Sequence, residues 1–292
     1  MKLAVSSYSF SQYINKGKMT QLDVVRKAAE MGFSGIDFID LMPNENPTLE
    51  DQLAYAAKIR QEAERNGIEI VAYTIGANLY TGSKETDEIE VERLCRQLDI
   101  AAALGAKIMR HDVCKVEKVN GRTVSFGQML PTIAENARKV TAYAKTLGIR
   151  TCSENHGRVA QDSDRVEALY NAVADDNYGL LIDIGNFACV DEDSVHAVSR
   201  LAPYAIHVHA KDFRVYPFGT PVSKIENPYV TRGCKALYGC AIGAGDIPVE
   251  QCIAILKRAG YDGYLTIEYE GMEDCIQGIL HGLYNLKHYI QE

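Results

Sequence analysis

Short apolar runs that end in polar residues recur along the chain, each preceded by a helix-forming segment and a turn. Ala28-Ala-Glu-Met-Gly32 leads into Gly35-Ile-Asp-Phe-Ile-Asp40, and Glu62-Ala-Glu-Arg-Asn-Gly67 leads into Glu69-Ile-Val-Ala-Tyr73. Gly32 and Gly67 stand where a helix C-terminus takes a left-handed residue. The unit returns at Gly105 before residues 106–110, at Gly148 before 149–152, at Gly179 before 180–182, at 205–209 and, after Gly260, at 264–267. With the opening Leu3-Ala-Val5 these make eight predicted strands. Helical periodicity fills the intervals, as in Val24, Ala28 and Met31, or Ile133, Ala137, Val140 and Ala144.

Strands that alternate with helices demand parallel pairing through crossovers. Eight such units in 292 residues match a single-domain (β/α)8 TIM barrel, a fold of about 250 residues. An open doubly wound sheet usually carries Gly-x-Gly-x-x-Gly after its first strand, where this chain has Ser6-Ser-Tyr-Ser-Phe10. The barrel is therefore expected over residues 1–292. One stretch departs from the unit: residues 213–245, rich in Gly, Pro and Tyr, lie between the seventh strand and its helix. A connection of that length predicts a lid or a partner-binding arm. The helix after it is expected to start with Asp246 as N-cap and Pro248 in the first turn.

Composition narrows the class. Apolar residues make up 47% and charged residues 24%, which excludes a disordered or collagen-like chain. At this length folding buries roughly three quarters of the unfolded surface, so a bound metal would serve chemistry rather than stability. The net charge of −8, without a compensating basic run, argues against a nucleic-acid partner. Eight cysteines without a Cys-x-x-Cys pair read as buried thiols of a reducing compartment. The N-terminus turns polar too early for a secretory signal, and no eighteen apolar residues run together; a cytoplasmic protein without membrane contact is expected.

Barrel active sites form at the C-terminal ends of the strands. Those ends carry Asp37 and Asp40, Tyr73, Arg110-His-Asp112, Glu154 and His156, Asp183 and Asn186, His207, His209 and Lys211, and Glu268 and Glu270. Residues two apart on a strand share a face, which pairs Cys152 with Glu154, Leu181 with Asp183, His207 with His209, and Thr266 with Glu268. If those faces point inward, Glu154, Asp183, His209 and Glu268 converge from four consecutive strands. Three converging carboxylates cannot all stay ionised without a cation, and an oxygen-rich set with one nitrogen suits Mn2+, Mg2+ or Co2+ better than a structural zinc. Any one of these residues alone reads as a helix cap or a solvated loop residue. His207 reads as packing or support for a ligand, Asp37, Asp40 and Glu270 as structural or peripheral, and His196, His281 and His288 as ordinary helical residues.

The motifs Ser153-Glu-Asn-His156, Ile182-Asp-Ile-Gly-Asn186, His207-Val-His-Ala-Lys-Asp212, Gly243-Ala-Gly-Asp246 and Leu265-Thr-Ile-Glu268 resemble those of the xylose-isomerase-like TIM barrels, the sugar phosphate isomerase and epimerase superfamily. The resemblance covers nearly the whole chain. It implies one catalytic divalent metal, Mn2+ first with Mg2+, Co2+ or Zn2+ as alternatives, held by Glu154, Asp183, His209 and Glu268. It further implies proton transfer next to a carbonyl through an enediolate, with Glu154 and Glu268 as the acid/base pair. His156, Arg214, Asn186 and His111 are then expected to bind a small-molecule sugar. Many members carry Asp-x-x-His after the sixth strand, whereas this chain has Asp183-Ile-Gly-Asn186; Asn cannot carry charge or shuttle protons.

The expected function is thus a metal-dependent sugar isomerase or epimerase acting on an unphosphorylated ketose or related polyol. The alternatives are an inosose-type dehydratase or the metal-dependent subunit of a carbon-glycoside-cleaving complex. A nuclease like endonuclease IV, which needs a three-metal cluster and more histidines, and a non-catalytic barrel stand behind these. A homo-oligomer is expected, with a hetero-complex as the alternative. Phosphate is disfavoured because Asp246 is expected to take the N–H donors beside Gly243-Ala-Gly245, and because Glu270-Gly-Met-Glu-Asp274 would repel a dianion.

Overall fold

Thr20 and Asp23, Thr48 and Asp51, and Ser125 and Gln128 each form a reciprocal capping box, so three helix starts are fixed locally. In the computed structural model, which describes residues 1–114, 118–119, 121–221 and 228–291, the chain folds as a closed parallel barrel of eight strands. They are β1 (Lys2–Ser6), β2 (Gly35–Ile39), β3 (Glu69–Ile75), β4 (Ile108–His111), β5 (Arg150–Glu154), β6 (Tyr178–Asp183), β7 (Ala205–Ala210) and β8 (Tyr264–Ile267). Each is followed by a helix: α1 (Gln21–Met31), α2 (Leu49–Asn66), α3 (Lys84–Leu104), α4 (Phe126–Thr146), α5 (Ser163–Val173), α6 (Ser194–Leu201), α7 (Val249–Arg258) and α8 (Cys275–Tyr289). All eight predicted strands are present, and β8 closes the ring against β1 with Leu3 opposite Leu265. No helix among the described residues is long and apolar enough to cross a membrane.

The main core lies between barrel and helices, where Ile133, Ala137, Val140 and Ala144 of α4 are all buried. A separate small cluster of Ala4, Val71 and Tyr264 fills the floor inside the barrel. There Gly35 is required by close approach: a Cβ would stand 2.6 Å from both the Tyr264 ring and Val71. The Tyr264 hydroxyl donates to Glu69 Oε2 at 2.9 Å, pinning the ring across the floor.

Several expectations are corrected. Gly179 lies within β6 rather than before it, and the left-handed residue ending α5 is Ala174, at φ 48°. Cys234 is exposed and Cys95 half-buried, while the other six cysteines are buried and all eight are free. The stretch 213–245 is largely ordered into a three-stranded sheet, since Asp212–Tyr216 and Tyr229–Val230 both pair antiparallel with Ala236–Cys240; residues 222–227 lie outside the described residues. The following helix has Pro248, not Asp246, at its N-cap. Asp246 instead accepts from the Val215 N–H at 2.7 Å.

Asp212 anchors this sheet to the barrel. Its carboxylate accepts from the N–H groups of Gly243, Gly245 and Ile247 at 2.8, 3.0 and 3.1 Å. Removing it strands three backbone donors in a partly buried turn, each worth about 1–3 kcal/mol when left unpaired in a fully buried setting. Asp212→Ala is expected to lose about 3 kcal/mol of stability after partial hydration of the turn, read by urea denaturation. A loss below about 0.5 kcal/mol, the scale of an ordinary surface substitution, would show that the turn holds without its anchor.

Candidate metal centre

Parallel register carries side-chain alternation from strand to strand. Glu154 pairs with Leu181, Leu181 with His207, and Asp183 with His209. Glu154, Asp183, His209 and Glu268 therefore meet at the mouth of the barrel, with one ligand atom from each lying within 4.8 Å of all the others. Three of the four are buried, and Glu268 keeps only 12% side-chain exposure.

Local hydrogen bonds aim each group. Asp183 Oδ1 accepts from the N–H groups of Gly185 and Asn186 at 2.8 and 3.0 Å, which leaves Oδ2 facing the cluster. The Asn155 amide bridges β5 to the Asp183 backbone in both directions, donating at 2.9 Å and accepting at 2.8 Å. The Asn186 amide donates to Glu154 Oε1 at 3.0 Å, and the Arg110 guanidinium pairs with Glu154 Oε2. His209 turns Nε2 to Asp37 Oδ2 at 3.2 Å. Its Nδ1, buried and without a hydrogen-bond partner, then faces Glu268 Oε1 at 3.6 Å and Glu154 Oε1 at 3.9 Å.

The charges explain what this donor set lacks. Burial pushes the Asp183 carboxyl up to about 7, and Glu154 and Glu268 push the same way against the pull of Lys211. Burial also disfavours charge on Glu268, yet Lys211 Nζ at 2.6 Å and the nearby His209 hold that carboxyl well below the usual range. The protein's own ammonium thus offsets only part of the negative charge. Asp183 Oδ2, without a hydrogen bond but 3.3 Å from Lys211 Nζ, and His209 Nδ1, without a hydrogen bond, with Glu154 and Glu268 beside them, fit a divalent cation of oxygen-plus-imidazole preference.

Asp37, expected to be structural, is buried within the barrel and also accepts from His207 Nε2 at 2.6 Å. Burial works to raise its pKa, but the two histidines bring it down to about 2. It therefore stays ionised and fixes the His209 tautomer, the arrangement by which a carboxylate orients a metal-ligating imidazole. Asp37→Asn is expected to weaken Mn2+ affinity about 10- to 100-fold, measured by competition against a fluorescent chelator with circular dichroism as the fold control. Unchanged affinity would remove Asp37 from the site.

The remaining expected residues divide. His156 sits half-exposed at the mouth, its Nδ1 2.8 Å from Asp112 Oδ1; burial works to lower its pKa, and the Asp112 hydrogen bond raises it overall. Asn186 is buried as the bridge to Glu154 and also meets Lys211 Nζ at 3.3 Å. His111 is a correction. It pairs in register with Ser153, on the face where Tyr178 donates to Ser153 and Thr151 meets Thr141 of α4, so it points toward the helices. Its neighbour Arg110 is the residue that enters the barrel. Arg214 is exposed on the accessory sheet and has no hydrogen bond or ion pair to the cluster among the described residues. Lys211 was legible, since it continues the alternation of 207 and 209, but its place among Asp183, Glu268 and Glu270 was not foreseen. The expected obstacle to phosphate is also reassigned: the donors at Gly243 and Gly245 are taken by Asp212, not Asp246.

Known proteins share this frame. The profile of the family described as xylose isomerase-like TIM barrel matches residues 25–288. An inosose dehydratase from Mesomycoplasma hyopneumoniae (strain 7448) is 27% identical over 145 residues, 49% of this chain and 48% of the relative. The chain thus spans about half the length of that curated relative. A D-psicose 3-epimerase solved in the presence of D-fructose superposes with a TM-score of 0.74 at 17% identity, covering 100% of both chains. An IolI protein with a bound zinc atom superposes at 0.76 and 13% identity, covering 100% of this chain and 98% of the other. At such identities the superpositions bear on the fold alone.

Proposed function

The chain belongs to the xylose isomerase-like TIM barrel family, and on that premise we propose that it moves a carbon-bound proton beside a carbonyl of an unphosphorylated ketose or related polyol, as a divalent-metal-dependent isomerase or epimerase. The observation that carries this reading is the convergence of two glutamates, Glu154 and Glu268, on the same point as Asp183 and His209. Glu154, Asp183, His209 and Glu268 would hold a divalent ion, Mn2+ by preference, which would supply Lewis acidity beside the carbonyl.

The chain's own groups do the rest. Glu154 and Glu268 come from β5 and from the end of β8; in this reading one, as the carboxylate, removes the carbon-bound proton and keeps it, and the other, once it has taken a proton from solvent, delivers that proton to the opposite face. Arg110 and the Asn186 amide hold Glu154, and Lys211 holds Glu268; both carboxylates are thereby kept oriented. His156, fixed by Asp112, stands at the mouth to donate to a substrate hydroxyl. Asp212 occupies the N–H donors that a phosphate would need, which supports an unphosphorylated substrate.

The match to inosose dehydratase favours a second outcome from the same first step. If a hydroxyl sits β to the carbonyl, His156 would be the group to protonate it as it leaves as water. Incubation of the Mn2+-loaded protein with ketoses, inososes and keto-glycosides in heavy water tests both. Deuterium beside the carbonyl with an inverted carbon identifies epimerisation, and deuterium with loss of water identifies dehydration. No exchange into any member of the panel would overturn the reading.

A further inference from the structure

Beside the metal centre, and lined by none of its four ligands, lies a cleft of about 300 Å3 between the β1 connection, the accessory sheet and the β8 connection. Its walls carry Tyr8, Phe213, Tyr229, Tyr238 and Tyr269, and Glu270 stands at one end. The rings are held in place. Tyr229 accepts from Arg158 Nε at 2.9 Å, with the guanidinium 5.0 Å over its ring. Tyr216 meets Tyr238 edge-on at 6.4 Å. The Tyr269 hydroxyl donates to Glu273, and the ring lies where a Cβ on Gly271 or Gly278 would come within 2.3 Å of it. At Gly239 a Cβ would meet the Glu270 carbonyl oxygen at 2.3 Å, so only glycine lets the sheet press against Glu270.

Glu270 sets the cleft next to the reacting centre, because Lys211 Nζ lies 3.2 Å from Glu270 Oε1 and 2.6 Å from Glu268 Oε2. The lining selects the occupant. Glu270 repels an anion, and the tyrosine and phenylalanine rings offer flat faces to a flat apolar face of a ligand. The volume lies at the lower edge of small-molecule pockets, enough for about one ring.

We propose that this cleft is a subsite for a second ring carried by the substrate, so that the molecule turned over is a two-ring compound such as a glycoside, with its reacting sugar or polyol at the metal and its other ring between the tyrosines. This rests on the placement of the reacting carbon given under Proposed function.

Calorimetric titration of the Mn2+-loaded protein with methyl β-D-glucoside, phenyl β-D-glucoside and cellobiose, and with the matching galactose series, tests it without requiring turnover. In at least one series the phenyl or the glycosyl member is expected to bind about 10-fold tighter than the methyl member; which of the two prevails identifies the second ring as aromatic or sugar. Tyr238→Ala is expected to bring that ratio toward one, and Tyr238→Phe to preserve it. Equal affinities throughout both series, binding by none of them, or a ratio untouched by both Tyr238→Ala and Tyr8→Ala would overturn the subsite. The two readings fail separately. A two-ring preference without deuterium exchange upholds the cleft and overturns the reaction, whereas exchange into a simple ketose without the preference does the reverse.

Discussion

Chelation is expected to silence the protein while leaving it folded. A catalytic cation contributes several kcal/mol of transition-state stabilisation, which corresponds to a rate loss of about 10³-fold or more. The fold should survive because the apolar core lies between barrel and helices, and because Lys211 already supplies a positive charge to Asp183 and Glu268 when no ion is present. Mn2+ or Co2+ added back is expected to restore exchange. The measurements are metal content by mass spectrometry, deuterium exchange, and circular dichroism before and after chelation. Full exchange in a preparation free of metal would end the metal-dependent reading, and collapse of the fold would show that the ion is structural as well.

Glutamine at either Glu154 or Glu268 is expected to cost 10²- to 10⁴-fold in kcat, the usual range for a lost acid/base group. The change keeps shape and one acceptor oxygen, so much of the local hydrogen bonding, including the Asn186 amide at position 154, can persist. Both residues also belong to the donor cluster, and metal content must accompany each rate. The two variants should differ in kind. If each glutamate serves one side of the reacting carbon, Glu154→Gln and Glu268→Gln will block exchange from opposite epimers first. Near-normal turnover in either variant with its metal in place would exclude the two-glutamate mechanism.

The four cluster residues could be read from the sequence because their geometry is mostly local. Two-residue alternation sets the face, and parallel register carries that face across β5, β6, β7 and β8. Position 110 was harder. Arg110, His111 and Asp112 are all polar, and only the pairing of Ile108 with Arg150 and His111 with Ser153 decides which of them enters the barrel. Asp37 looked peripheral because its partners, His207 and His209, lie about 170 residues away. The accessory sheet escaped notice for a similar reason. Its strand Asp212–Tyr216 pairs with Ala236–Cys240 across a long Gly- and Pro-rich stretch, with Asp212 opposite Cys240, and no alternation within one segment reports such pairing.

The floor built by Ala4, Val71, Gly35 and Tyr264 closes one end of the barrel among the described residues and leaves the four-residue cluster at the other. An ion held by that cluster would lie deeper than a ligand seated above it. It would therefore have to enter first, and the ligand would bar its escape until that ligand departed.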